Sequence, residues 1–169
     1  MAINWNEVQQ PARGPSPSTR ISRVLRRFVD ALKERGYVQG NYILDENNIL
    51  HYPEWKFSEG LIDIGYAANV FSQQPITDIV LIRCIEIERA ENTGKGIGRK
   101  VLGDLTAIAD EQGVKLLGVV DPDYFNNRGL NETQICDWLE RNGFDRWLNH
   151  GLLMRNPALP VYIRRPANI

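Results

Sequence analysis

A glycine-rich segment, Thr93-Gly94-Lys95-Gly96-Ile97-Gly98, carries the clearest chemical signature of the chain. Its three glycines stand at alternate positions and lack Cβ atoms, so successive backbone N–H groups can approach an anion closely. A helix predicted to begin near Gly98 adds free N–H groups and the positive end of its dipole. Together these features predict a binding site for a pyrophosphate group.

Two better-known phosphate-binding motifs differ from this segment in spacing. A P-loop reads G-x-x-x-x-G-K-[ST], whereas Lys95 lies between two glycines. A dinucleotide-binding loop reads G-x-G-x-x-G, and the last interval of Gly94-Lys95-Gly96-Ile97-Gly98 is too short for it. A glycine-rich turn that binds no ligand stays open as the alternative.

The elements around this loop follow from hydrophobic patterning. Residues 79–87 are rich in β-branched side chains and end in alternating isoleucine and glutamate, which predicts a strand. Apolar residues at helical spacing follow the loop as far as Gly113, which predicts a helix that ends there. The short apolar run over 115–120 predicts a buried strand.

A further helix is predicted after this strand, with Asn131 or Thr133 as its N-cap and Gly143 at its end. The tail has two extended candidates, over 147–154 and 161–163.

The first part of the chain is less regular. Residues 9–18 combine proline, glycine and serine, so 1–18 is predicted as an extended segment. An amphipathic helix is expected from about Ile21 to Gly36, capped by Ser18 or Thr19. Residues 37–58 lack periodicity and are expected to form irregular connections with at most one short strand, and 61–71 is predicted as a strand. The whole predicts one domain over 19–169, with an α/β or α+β architecture around a single sheet.

Composition limits the class of protein. The chain has 169 residues, 43% of them apolar and 24% charged, with a net charge of −1, which is typical of one globular domain. It contains no apolar run of the roughly 20 residues that a membrane-spanning helix needs, and its N-terminus lacks an apolar leader. Cys84 and Cys136 have neither disulfide-framework nor metal-ligand spacing. We therefore expect a cytoplasmic protein with reduced thiols, no membrane contact and no metal.

The sequence of the loop and helix, GKGIGRKVL over 94–102, resembles that of the GNAT superfamily of acyl-CoA-dependent N-acetyltransferases. The motif of that superfamily is [Q/R]-x-x-G-x-[G/A]. The buried strand that follows, an asparagine-containing loop and a helix that ends in Gly143-Phe144 are also similar to that family. The resemblance extends over about 60–155. It implies a mixed central sheet flanked by helices, and an enzyme that transfers acetyl from acetyl-CoA to a primary amine.

The resemblance also implies roles for individual residues. The amides of the loop would hold the CoA pyrophosphate, and the end of the preceding strand would pair with the pantetheine arm. Two asparagines would also hydrogen-bond that arm, although a turn and a helix cap are alternative reasons for asparagine at these positions. The cofactor-binding residues implied in this way are Ile87, Arg89, Thr93, Gly94, Lys95, Gly96, Ile97, Gly98, Arg99, Asn126 and Asn131. Glu86 or Glu88 would be the general base, although solvated charges at a strand edge are the alternative reading.

Two residues depart from the family pattern. Thr93 stands where the motif prefers glutamine or arginine, which a loop that binds through its backbone tolerates. Leu139 stands where many members place the tyrosine that protonates the leaving thiolate, and leucine cannot donate a proton. Tyr124 is the first candidate for a substitute acid, with aromatic packing as its alternative. A binding protein of this fold without catalytic activity therefore stays open beside the enzyme.

Partners are only coarsely specified. Residues 1–40 carry seven lysines and arginines against three acidic residues, an excess of four positive charges. Strong nucleic-acid binders usually have a larger excess, so action on RNA through these arginines is a secondary expectation. An exposed strand edge in the tail could pair two subunits into a homodimer. The acceptor amine is read by variable side chains and has no signature in the sequence.

Overall fold

The computed structural model describes residues 17–44, 50–65, 67, 69, 71–72, 76–87, 95–120, 130–152 and 159–167. Seven strands form one mixed sheet in the order β1-β2-β3-β4-β5-β7-β6. The strands are β1 (Val38–Leu44), β2 (Leu50–Phe57), β3 (Gly60–Gly65), β4 (Ile79–Ile87), β5 (Lys115–Val119), β6 (Asp145–Arg146) and β7 (Val161–Arg164). The helices are α1 (Pro17–Glu34), α2 (Ile97–Gln112) and α3 (Glu132–Arg141). The predicted mixed central sheet flanked by helices is thereby confirmed.

The three helices form where apolar residues recur at helical spacing. In α2, for example, Val101, Leu105 and Ile108 are buried on one face, and Gly113 ends the helix in the left-handed conformation at φ 65°. Helix α1 begins at Pro17, earlier than expected, so Ser18 and Thr19 lie in its first turn and do not cap it. The remainder of the segment predicted to be extended, 1–16, lies outside the described residues.

The strand predictions need three corrections. The stretch 37–58 holds two strands, β1 and β2, and their antiparallel pairing has two register shifts. Such irregular pairing disturbs the two-residue period by which a strand is recognised. Strand β3 ends at Gly65, well before residue 71, and Asn69 forms only an isolated bridge with Leu152. In the tail, β6 precedes the first predicted stretch, while β7 matches the second.

The central strands are buried on both faces of the sheet. Val80 of β4 and Leu116 of β5 belong to a large apolar cluster that also contains residues of α1, α2 and α3. Their neighbours Ile79 and Leu117 belong to a second, smaller cluster on the opposite face. This two-sided burial explains why the sequences of β4 and β5 are nearly continuous apolar runs.

None of the helices in the described ranges is long and apolar enough to cross a membrane. The same ranges contain no group of three or more histidine, cysteine, aspartate or glutamate residues that could hold a metal ion.

Candidate functional site

The site begins where β4 extends beyond its parallel partner. Strands β4 and β5 pair over four positions, from Ile79↔Lys115 to Ile82↔Gly118. Strand β4 then continues for five residues, 83–87, of which 84–87 pair with β3 on the other side. The end of β4 therefore reaches past the described ladder with β5 and leads toward the glycine-rich loop.

A β-bulge lies at the same level of β4. The register with β3 shifts between Asp63↔Cys84 and Ile64↔Ile82, so Arg83 is the extra residue. The burial pattern shows the same interruption of the two-residue alternation. Ile82 belongs to the large cluster, and the next residue of β4 that packs against it is Ile85, three positions later. A bulge bends its strand and increases the local twist, and bulges are frequent beside active sites. This one changes the course of β4 directly after its last pair with β5.

An ion pair between a buried aspartate and a half-buried arginine accompanies the bulge. The Nε atom of Arg83 lies 3.9 Å from Oδ2 of Asp63, and their side chains are 18% and 3% exposed. Removing one member of such a pair is strongly destabilising, because the other charge stays buried. Sequence reasoning passed over Asp63, and only the strand register, which the sequence does not give, brings it to Arg83.

The N-terminus of α2 is open to an anion. Its N-cap, Gly96, has φ 76° and makes no side-chain capping bond, and the first turn contains no acidic residue. Among the described residues, the amides of Ile97, Gly98 and Arg99 have no hydrogen-bond acceptor, and the first satisfied one is Lys100 N–H on Gly96 O at 3.0 Å. The side chains of Lys95, Arg99 and Lys100 are exposed around this end. Free amides, the helix dipole and three cations all favour a bound anion.

The N-terminus of α3 shows that this chain also builds closed helix ends. Oδ1 of Asn131 accepts from Gln134 N–H at 2.9 Å, while Oε1 of Gln134 accepts from Asn131 N–H at 2.9 Å. Glu132 adds an acidic side chain in the first turn. The prediction that Asn131 caps this helix is confirmed. Its contact with the pantetheine arm stays a prediction, and that contact would have to use Nδ2, because Oδ1 is engaged in the cap.

Gly96 and Gly98 serve different purposes. The positive φ of Gly96 is unfavourable for other residues, and no heavy atom lies within 4 Å of the place where its Cβ would be. A Cβ on Gly98 would lie 3.7 Å from Cζ2 of Trp138, an ordinary contact distance. Gly96 therefore leaves room for a ligand, whereas Gly98 faces α3.

The helix α3 places two neighbouring side chains in different surroundings. Leu139 is 7% exposed, and a Cβ on Gly118 of β5 would lie 3.4 Å from its Cδ1. Position 139 therefore packs into the core, and leucine there supplies no proton. Trp138 is half-buried beside Gly98. Trp138 was not among the residues predicted for the site, although its place next to the expected tyrosine position was a signal that could have pointed to it.

A tyrosine of the neighbouring strand does not replace the missing acid. Tyr162 of β7 pairs with Gly118, but its hydroxyl donates to Oε1 of Glu140 at 3.0 Å. Burial, reinforced by hydrogen bonds with Cys136 and Glu140, raises the pKa of Tyr162 to about 12.

One of the two candidate bases, Glu86, lies near the end of β4. Glu86 is exposed and faces away from the large cluster, since its neighbour Ile85 packs against that cluster. A Cβ on Gly60 would lie 1.9 Å from the carbonyl oxygen of Glu86, so glycine is required where β3 approaches this part of β4. Ile87 ends the strand.

The predicted residues divide into three groups. The structure gathers Lys95, Gly96, Ile97, Gly98 and Arg99 at the N-terminus of α2. It places Glu86 and Ile87 at the end of β4 and Asn131 at the N-cap of α3. The remaining predicted site residues lie outside the described residues, namely Glu88, Arg89, Thr93, Gly94, Tyr124 and Asn126.

The basic face of α1 is partly neutralised. Arg23, Arg26 and Arg27 are exposed, but so are Asp30 and Glu34 of the same helix. Nη2 of Arg35 lies 2.8 Å from Oε1 of Glu111 at the end of α2. This mixture of charges does not favour a nucleic-acid surface over an ordinary solvated one.

Comparison with known proteins gives matches in structure only. No protein-family model matches the sequence, and no curated protein matches it. A GNAT family N-acetyltransferase (YhbS) from Escherichia coli, solved in complex with CoA, is 17% identical with a TM-score of 0.44, over 94% of this chain and 84% of that chain. An acetyltransferase from Bacillus cereus is 9% identical with a TM-score of 0.36, over 94% of this chain and 99% of that chain.

Proposed function

We propose that this chain is an acyl-CoA-dependent N-acetyltransferase that moves an acetyl group from acetyl-CoA to a primary amine. The observation that carries the proposal is the open, acid-free N-terminus of α2, which follows along the chain a strand that reaches past its parallel partner. A pyrophosphate needs several convergent N–H donors, and a pantetheine arm needs a strand edge on which to form hydrogen bonds. The described residues offer the donors, and β4 leads to them.

The loop residues would hold the diphosphate of acetyl-CoA. The amides of 95–99 are the proposed donors, and the exposed Lys95 and Arg99 add charge attraction at the rim of the site. The space beside Gly96 suits an approaching phosphate, because no atom of the described residues lies within 4 Å of the place where its Cβ would be. Residues 87–89 are the proposed partners of the pantetheine arm.

Acetyl-CoA supplies an activated thioester when bound. The task left to the chain is to accept a proton from the attacking amine, to stabilise the developing charge and to let the thiolate leave. Glu86 or Glu88 is proposed to take the proton, directly or through water. Because Leu139 is buried and cannot donate, thiolate departure depends on hydrogen bonding or on another group such as Tyr124.

The cofactor assignment is tested by titrating CoA into the purified protein in a calorimeter. We expect saturable binding that Gly96→Glu abolishes, because the new carboxylate would meet the pyrophosphate and the residue would strain at φ 76°. Gly103→Glu is the matched control. It introduces the same side chain at an exposed position of α2, about 10 Å along the helix from Gly96. No heavy atom lies within 4 Å of the place where the Cβ of residue 103 would be.

The two variants separate the outcomes. Loss of binding in Gly96→Glu with binding retained in Gly103→Glu supports the loop assignment. Equal binding in both, or none in the unmodified chain, would refute it.

The general base is tested with Glu86→Gln and Glu88→Gln in an acetylation assay against a panel of primary amines. We expect one of the two to lower turnover at neutral pH by about 10- to 100-fold while CoA affinity changes little, because a base acts on the amine and not on the cofactor. The measurement is the pH–rate profile. If neither substitution alters it, the proposed base is wrong.

A second candidate function is a CoA-binding protein without transferase activity. The buried Leu139, where the resembled family has tyrosine, favours it. CoA binding without turnover of any amine in the panel would support this second function against the first.

A further inference from the structure

Trp138 is the aromatic side chain that α3 presents beside the open end of α2. Its Cζ2 atom lies 3.7 Å from the place where a Cβ on Gly98 would be, and Gly98 is the second residue of α2. The amides that lack acceptors belong to Gly98 and its two neighbours in the chain. An anion held by those amides would therefore lie next to the indole.

The backbone of Trp138 is fixed by packing and hydrogen bonds. Its neighbour Leu139 is buried over Gly118. The carbonyl oxygen of Trp138 accepts from Nδ2 of Asn142 at 2.7 Å. The helix begins with the capping box of Asn131. A wall held in this way needs little rearrangement to receive a ligand, which limits the entropic cost of binding.

These contacts hold the backbone of Trp138 and leave part of the indole ring available to a ligand. Trp138 packs against the large cluster but stays partly exposed, and within the described ranges its N–H group has no acceptor. Trp55, in contrast, is completely buried, and Trp147 packs on the opposite face of the sheet next to His150. Among these three tryptophans, Trp138 alone combines an exposed edge with a position beside the loop.

We propose that Trp138 forms one wall of the cofactor site and contacts bound CoA next to its pyrophosphate. The inference rests on the proposed function, since CoA is the ligand. The ring covers apolar atoms of the ligand, and the N–H group is a donor that α3 contributes in addition to the amides of α2. Trp138 is thus a binding residue at the position beside the buried Leu139, and it makes no proton transfer.

The test is a CoA titration followed by both tryptophan fluorescence and calorimetry. We expect CoA to change the emission of the unmodified protein with the dissociation constant that calorimetry gives. Trp138→Phe should lose most of the ligand-dependent change and bind CoA about 2- to 10-fold more weakly, as the loss of an aromatic contact predicts. Trp147→Phe is the control, because it removes a half-buried tryptophan from the other face and should leave both readouts unchanged.

The outcomes distinguish this inference from the proposed function. CoA binding with unchanged emission, and with equal affinity in Trp138→Phe, overturns the inference and leaves the cofactor assignment intact. Absence of CoA binding in the unmodified protein overturns both.

A second variant keeps the inference testable if Trp138→Phe does not fold. The double variant Trp5→Phe/Trp147→Phe retains Trp138 and the buried Trp55. CoA should then protect the emission of Trp138 from acrylamide quenching, and unchanged quenching overturns the inference.

Discussion

Asn131 closes the N-terminus of the helix that carries Trp138. Its side-chain oxygen and its backbone N–H both bond to Gln134, and both bonds belong to the capping box of α3. The same helix carries Trp138 toward Gly98 and Leu139 onto β5. A side chain that stabilises α3 therefore also determines where the wall of the site lies.

Substitutions of Asn131 can separate capping from ligand contact. We expect Asn131→Ala to lower the free energy of unfolding by about 1 kcal/mol, whereas Asn131→Ser retains a capping oxygen and changes stability by only a few tenths of that. Urea unfolding measures both effects. Weaker CoA binding by the stable Asn131→Ser variant would support the predicted contact through Nδ2, and equal binding would contradict it.

At the scale of elements, an ion pair joins the end of α2 to β7. Nη1 and Nη2 of Arg164 lie 2.8 and 3.0 Å from the two carboxylate oxygens of Asp110, and Oδ1 also accepts from Ala167 N–H at 2.8 Å. The hydrogen bonds with Arg164 lower the pKa of Asp110 below its usual value. The cation also offsets an acidic side chain in the last turn of a helix, which the helix dipole disfavours.

This pair makes stability depend on pH in a defined direction. Because the pKa of Asp110 is lower in the folded than in the unfolded chain, its contribution is complete above the unfolded value of about 4 and is lost as pH falls through the folded value. We expect Asp110→Asn to lower the free energy of unfolding at neutral pH by about 1–2 kcal/mol. Denaturant unfolding from pH 7 down to pH 2 should show the difference shrinking below about pH 4, and a constant difference would contradict the assignment.

At the scale of the whole molecule, the sequence predicted the elements next to the loop well and the sheet as a whole only in class. Strand β4 was predicted with its observed bounds, because its β-branched residues leave little alternative. The paired strands β1 and β2 were missed, because their register is irregular and their pattern depends on the partner strand. The order of the strands in the sheet could not be predicted from the sequence of β7, residues 161–164. This strand inserts between β5 and β6 through pairing with distant residues.

The same limit applies to the candidate site. The loop was found because glycines and a following helix leave a local pattern, as Gly96 shows with its φ of 76°. The bulge at Arg83, its ion pair with Asp63 and the approach of Trp138 to Gly98 join positions distant in the chain. No local pattern specifies such contacts, because packing of the whole sheet and its helices creates them.

The position of β7 between β5 and β6 has a consequence for biosynthesis. Strands β1 to β4 are neighbours in the sheet in the order in which they leave the ribosome, so each can pair with the one before it. Strand β6 reaches the sheet only through β7, which is made after it. Until residues 161–164 emerge, the outer edge of β5 is open to pairing with other nascent chains, a known route to aggregation. This half of the sheet therefore completes its pairing only after β7 has been made.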